Sequence, residues 1–153
     1  MSCVFCEMVA GRVPCYKIWE DDGHMAFLSI YPNTEGFSVV IPKMHHPSYA
    51  FAVADDVLSA LMLATKRVAQ LLDRAFDDVG RCGMVFEGFG VDHLHAKLIP
   101  MHGTAALEQW QPIESKSTKF FTRYEGYLSS HDAARADDDH LAELAAQIRR
   151  SAA

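Results

Sequence analysis

Apolar positions recur along this chain with two different periods, and each change of period marks a change of element. From Ala54 to Phe76, the residues Val57, Leu58, Leu61, Met62, Val68, Leu71 and Leu72 fall at helical spacing, while Lys66, Arg67, Asp73 and Arg74 are left for water. This predicts the one long helix. Five short runs instead read as strands: Tyr16–Glu20, Met25–Ile30, Phe37–Ile41, Cys82–Glu87 and Asp92–Ile99. The turn signals Asp21-Asp22-Gly23, Pro32-Asn33-Thr34-Glu35-Gly36 and Gly88-Phe89-Gly90 separate them. Ahead of these, Cys3 to Ala10 suits a short helix ended by Gly11, and Pro14 opens an extended segment. Strands joined as hairpins around one helix predict an α+β fold with a five-stranded antiparallel sheet.

The last third follows a different pattern. Gly103 to Phe121 mixes Ser, Thr, Pro and Lys and reads as loop. Lys116, Lys119 and Arg123 either close over a polyphosphate chain or are solvated loop residues, and the second is expected. Asp137-Asp138-Asp139 then opens a helix, with acids at its positive end. Leu141, Leu144, Ala145 and Ile148 form its apolar stripe, and Arg149 and Arg150 close it. The expected division is a domain over residues 1–110 and a C-terminal extension over 111–153 packed on it.

Composition narrows the function classes. A chain of 153 residues, half of them apolar, is long enough for one well-filled core. The net charge is −6 and no long basic run occurs, so nucleic acid is not an expected partner. No apolar run approaches the ~20 residues needed to span a bilayer. The opening residues Met1-Ser2-Cys3-Val4-Phe5-Cys6 lack a basic start followed by an apolar stretch, so a secretory leader is not expected. The expected location is the cytoplasm, with Cys3, Cys6, Cys15 and Cys82 reduced or bound to metal.

The candidate chemistry lies in Gly90-Val91-Asp92-His93-Leu94-His95-Ala96-Lys97-Leu98-Ile99-Pro100. With a period of two, His93, His95 and Lys97 share one face, and Leu94, Ala96 and Leu98 share the other. Ionisable groups in a row are costly to bury without a purpose. Two imidazoles beside a cation suit a phosphate-bearing ligand. His95 is read as a nucleophile toward phosphorus, because a neutral imidazole is nucleophilic near pH 7. Lys97 either neutralises a phosphoryl oxygen or extends to water. Gly88 and Gly90 let backbone amides approach a phosphate. Asp92 and His102 are nearby groups able to supply a proton. Cys3 and Cys6 form a C-x-x-C pair, which needs two further ligands for a tetrahedral zinc site. His45 and His93 are candidates, and His46 is an alternative to His45. A redox pair or two buried thiols are the competing readings.

These residues resemble the histidine triad (HIT) family of nucleotide hydrolases and transferases, whose motif is His-x-His-x-His on the last strand of an antiparallel sheet. The likeness to its zinc-bearing bacterial branch extends through Cys3–Cys6, Ala10–Pro14, Tyr16–Asp22, Ala26–Ile30, Pro32 and Gly36–His45. It implies that His95 is the nucleophile and that Cys3, Cys6, His45 and His93 hold a structural zinc. It further implies that Ile18, Phe27, Leu28 and Ile30 line a nucleotide-base pocket, and that the chain forms a homodimer through the long helix and the fourth and fifth strands. Four features depart from the family pattern, two of them being Phe86-Glu87-Gly88-Phe89 in place of an Asn-rich turn and Gly90 in place of a hydroxyl residue that contacts the leaving group. Lys97 stands where the family has its third His, and Ser29 stands where it has an acid for the ribose hydroxyls. The implied activity is hydrolysis or transfer on a nucleoside phosphoramidate or dinucleoside polyphosphate through a phosphohistidine. The alternatives are a nucleotide-binding protein with weak or no catalysis, and a zinc-stabilised interaction domain.

Overall fold

The computed structural model describes residues 3–105, 122–124 and 134–151. In chain order they form α1 (Val4–Val9), β1 (Lys17–Glu20), β2 (His24–Leu28), β3 (Ser38–Pro42), α2 (Asp55–Ala75), β4 (Val79–Val85), β5 (Ala96–His102) and α3 (Asp138–Arg150). The sheet is antiparallel throughout, with strand order β1-β2-β3-β5-β4. The last strand therefore returns to an interior position, between β3 and β4. The expected α+β class and five-stranded sheet are both present.

Alternation along the strands builds two apolar layers. Ala26 and Leu28 on β2, Val40 on β3, and Ala96 and Leu98 on β5 face Leu61, Val68 and Leu72 of α2. Met25 and Phe27 on β2, with Val39 and Ile41 on β3, face the opposite way and pack with Phe5 of α1. Both faces of β2 and β3 are thus covered, which is why those strands read as nearly continuous apolar runs. The first hairpin closes on Asp21, whose Oδ1 accepts from the backbone amides of Gly23 at 2.9 Å and His24 at 2.7 Å. The turn before β3 needs Gly36. Its φ is +77°, and a Cβ there would lie 2.7 Å from the Phe76 ring.

α3 joins the helix-side layer. Leu141, Leu144, Ala145 and Ile148 are all buried, with α2 and β1 as neighbours. Its first turn is capped by Asp137, whose Oδ1 accepts from the His140 amide at 3.0 Å.

Four sequence expectations are corrected. Met62 was placed on the buried stripe of α2 but is 41% exposed, and its neighbour Leu63 is 59% exposed, so the stripe is narrower than the spacing suggested. β4 begins at Val79 rather than Cys82, with a register shift between those two residues. β5 begins at Ala96 rather than Asp92. The amide of Leu94 donates to the His46 carbonyl at 2.8 Å, and that of His93 to the Val91 carbonyl, so neither continues the ladder. Finally, Asp73 is not a plainly solvated residue, since its Oδ1 is buried. The expected loop over 103–121 lies mostly outside the described residues, as do Lys116 and Lys119; Arg123 is exposed.

Candidate functional site

The segment entering β5 keeps the two-residue alternation without strand pairing. Leu94 points into the helix-side core. His93 and His95 point to the other face, where the ring of Phe5 meets each of them edge-on at 5.7 Å. His93 is wholly buried and His95 is 4% exposed.

Each imidazole has one nitrogen committed to a backbone carbonyl. Nε2 of His93 donates to Pro42 O at 2.9 Å, and Nδ1 of His95 donates to His93 O at 2.7 Å. A carbonyl can only accept, so the proton positions follow. His93 presents a bare Nδ1, and His95 a bare Nε2. Burial, the foremost cause, lowers both pKa values from 6.5. Both rings are therefore neutral near pH 7, with a lone pair available.

The Nδ1 of His93 meets two thiols. It lies 3.4 Å from Cys3 Sγ and 3.6 Å from Cys6 Sγ, while Cys6 Sγ lies 3.5 Å from Nδ1 of His45. The donor atoms of Cys3, Cys6, His45 and His93 all fall within 4.8 Å of one another. Two sulfurs and two imidazole nitrogens match the donor set of a tetrahedral zinc site. The Pro42 carbonyl orients the His93 ring in the way that a hydrogen bond beyond the ligands does at metal sites. The Cys6 thiol is pushed up, first by burial and then by its neighbour Cys3. A divalent cation would reverse that penalty. The donor set thus fits a zinc ion. His46 stays outside the group and instead accepts from Leu94 through its carbonyl.

His95 lines a cleft of about 620 Å³ together with Phe27, Leu28, Ser29, Ile30, Gly90 and Lys97. That volume lies within the usual range for small-molecule sites. Helix α1 supplies one wall through Val4, Phe5 and Met8, and α3 supplies part of the rim through Asp138. Asp138 Oδ1 accepts from Tyr16 Oη and, at 2.7 Å, from Arg135 Nη2. The Ser29 hydroxyl oxygen accepts from the Tyr31 amide at 3.1 Å.

Several expected positions lie elsewhere. Ile18 is 2% exposed and belongs to the core against the helices, not to the cleft. Gly88 lies outside the cleft lining and packs on the Ser48–Tyr49 backbone, its carbonyl accepting from Ser48 Oγ at 2.9 Å. His102 sits at the far end of β5, bound to Asp78 and to the Glu35 carbonyl. Asp92 accepts from the Ser48 amide at 3.0 Å and so anchors the loop beside the metal-type cluster. Lys97 lines the cleft, but its ammonium is paired with Glu87.

Sequence reasoning did not single out Phe5, Tyr16, Glu87, Arg135 or Asp138 as site residues. Phe5 carried one signal, its place between the two cysteines. Arg135 and Asp138 carried none, because only the folding of α3 onto β1 and β2 brings them to the cleft.

Residues 10–104 match the HIT domain family. The chain is 33% identical over 101 residues to an adenosine 5'-monophosphoramidase of Schizosaccharomyces pombe, covering 65% of this chain and 74% of that protein. It is 30% identical over 106 residues to the protein hit of Bacillus subtilis, covering 67% and 72%. The crystal structure of a Zn-bound histidine triad family protein from Mycobacterium smegmatis aligns with a TM-score of 0.70 at 22% identity, covering 99% of this chain and 94% of that one. A HIT family protein from Bacillus anthracis aligns with a TM-score of 0.59 at 29% identity, covering 75% and 83%. A family match over more than half the chain, on a sheet that carries the paired histidines at the entry to its returning strand, makes this chain a member of the HIT family.

Proposed function

We propose that the protein hydrolyses nucleoside phosphoramidates, or transfers their nucleotidyl group, through a phosphohistidine on His95. The observation that carries this reading is the His95 ring. Its Nδ1 is held by the His93 carbonyl, so the bare Nε2 is the nitrogen available to the cleft. Relatives named adenosine 5'-monophosphoramidase support the substrate class. A dinucleoside polyphosphate is the other candidate substrate.

Nε2 attacks phosphorus and forms the N–P bond as the phosphorus–amine bond breaks. The departing nitrogen takes a proton from solvent water and leaves as ammonia or an amine. Water then cleaves the N–P bond, releasing the nucleoside monophosphate and freeing the imidazole. Lys97, in the position of the third histidine, donates toward the phosphoryl and leaving-group side. Gly90, at φ +90° and with nothing within 4 Å of a notional Cβ, leaves the backbone open to the phosphate. Phe27, Leu28 and Ile30 contact the base, and Ser29 reaches the ribose.

Cys3, Cys6, His45 and His93 would hold zinc. When bound, the ion would crosslink the N-terminal arm, the loop after β3 and the segment entering β5. In this reading zinc is structural, and His93 serves His95 through its own carbonyl. The protein acts in the cytoplasm on small molecules rather than nucleic acid, as a homodimer. Support for the dimer is the edge strand β4 with Met84 exposed, and the outward Met62 and Leu63 of α2.

The test is turnover of adenosine 5'-phosphoramidate by the native protein and by His95→Ala. Loss of roughly three orders of magnitude or more in kcat is expected, the scale seen when a nucleophile is removed. Equal turnover by both proteins would reject the mechanism. A second reading, nucleotide binding with little turnover, is favoured by the Lys97–Glu87 pairing and the neutral Ser29. It predicts binding of AMP without product formation.

A further inference from the structure

Glu87 is the least exposed carboxylate engaged in an ion pair among the described residues. Its side chain is 6% exposed, and that of its partner Lys97 is 14% exposed. Lys97 sits mid-sheet, opposite Val39 on β3 and Val85 on β4, and lines the cleft beside His95. Glu87 follows β4 by two residues and precedes the 88–90 turn. The second carboxylate oxygen, Oε2, accepts from Tyr124 Oη at 3.5 Å, and the Tyr124 ring stacks on Phe89 at 5.8 Å and 16°.

A lysine ammonium rides on a four-carbon stem with many rotamers, so it makes a poorly aimed donor unless something holds it. A carboxylate largely withdrawn from water holds it strongly and cannot itself be left unpaired without cost.

We propose that Glu87 is the positioning residue for Lys97: it fixes the ammonium in one pose at the cleft wall and cancels its charge toward a ground-state anion. The inference rests on the role given to Lys97 in the proposed function. Glu87 acts through Lys97 and is not itself among the residues that line the cleft. It makes Lys97 an oriented donor for charge that develops in the transition state, rather than a free cation that traps any phosphate.

The experiment compares native protein, Glu87→Gln, Lys97→Met and the double variant. It reads kcat on adenosine 5'-phosphoramidate and the Kd of AMP by calorimetry. Glu87→Gln is expected to lower kcat about ten- to a hundredfold while tightening AMP binding about three- to tenfold, because an unaimed but uncancelled ammonium binds the ground state better. Both changes should vanish in the Lys97→Met background, where the double variant matches the single one. Glu87→Asp should recover part of the lost kcat. A merely structural Glu87 would weaken kcat and AMP affinity together, and that result overturns the proposal. So do an unchanged kcat in Glu87→Gln, and Glu87→Gln losses that persist undiminished in the Lys97→Met background. If instead His95→Ala and Lys97→Met both turn over normally, the functional reading itself fails; if those two are impaired while Glu87→Gln is native-like, only the role of Glu87 does.

Discussion

At the scale of single residues, backbone carbonyls do much of the chemistry's groundwork. Pro42 and His93 each accept one imidazole N–H, and in doing so decide which nitrogen of His93 and of His95 is bare. The side chains alone do not settle this. The sequence showed that two histidines share a face, but not which tautomers they adopt. It also offered His102 as a proton donor for the site, and the structure gives that ring other work. His102 lies 3.0 Å from Asp78 Oδ1 and 3.0 Å from Glu35 O, with the Phe76 ring edge-on at 5.0 Å. Its pKa is raised above 6.5, chiefly by the Glu35 carbonyl and then by the Asp78 carboxylate. A raised folded-state value means that the contribution of the charged ring is fully present below about 6.5. It is lost as pH climbs through the folded-state value. The Tm advantage of native protein over His102→Gln should therefore be larger at pH 6 than at pH 8.5, measured by thermal melts across that range. A gap that does not change with pH would contradict this assignment.

At the scale of elements, the prediction of strands and the long helix came close because amphipathic period is a local property. The corrections fall where tertiary partners decide. Residues 93–95 alternate like a strand, yet His46 takes the Leu94 amide before a ladder forms. Ile18 looked like a base-pocket residue by its place in the order of motifs. The face it shows, toward α2 and α3, depends on a β1 whose register shifts between Lys17 and Trp19. α3 was legible as a helix from its acids, stripe and terminal arginines, but not as part of the main core. Its Ile148 is fully buried, and the hydroxyl of Ser151 that follows donates to the Leu71 carbonyl at 3.0 Å. Ile148→Ala should accordingly cost about 2–5 kcal/mol in urea-induced unfolding. A change under roughly 0.5 kcal/mol, typical of a surface site, would mean that α3 is accessory.

At the scale of the molecule, three segments far apart in sequence meet at Cys3, Cys6, His45 and His93. A metal there would tie the N-terminal helix to the loop after β3 and to the strand that follows His95. Binding that favours the folded state adds about 2.7 kcal/mol when the free ligand is a hundredfold above its Kd. For a chain of this size that is roughly 5–10 °C in Tm. A strong chelator should lower the Tm of zinc-loaded native protein by at least that range, and zinc should restore it. Cys3→Ser/Cys6→Ser should melt low and be indifferent to both. Native protein with one zinc per chain and no chelator response would show that the ion lies elsewhere.

The sequence by itself determined the fold class, the order of the motifs and the residue types available for chemistry. These follow from local periodicity, from turn residues and from the small set of side chains able to bind metal or attack phosphorus. Only the tertiary structure decided how those residues are used. It gathered His45 rather than His46 with the two thiols, set Ile18 and Gly88 away from the cleft, brought Asp138 to its rim and paired Lys97 with Glu87. The reason is physical. A side chain's partner, tautomer and exposure depend on which distant backbone packs beside it, and no pattern within a ten-residue window contains that information.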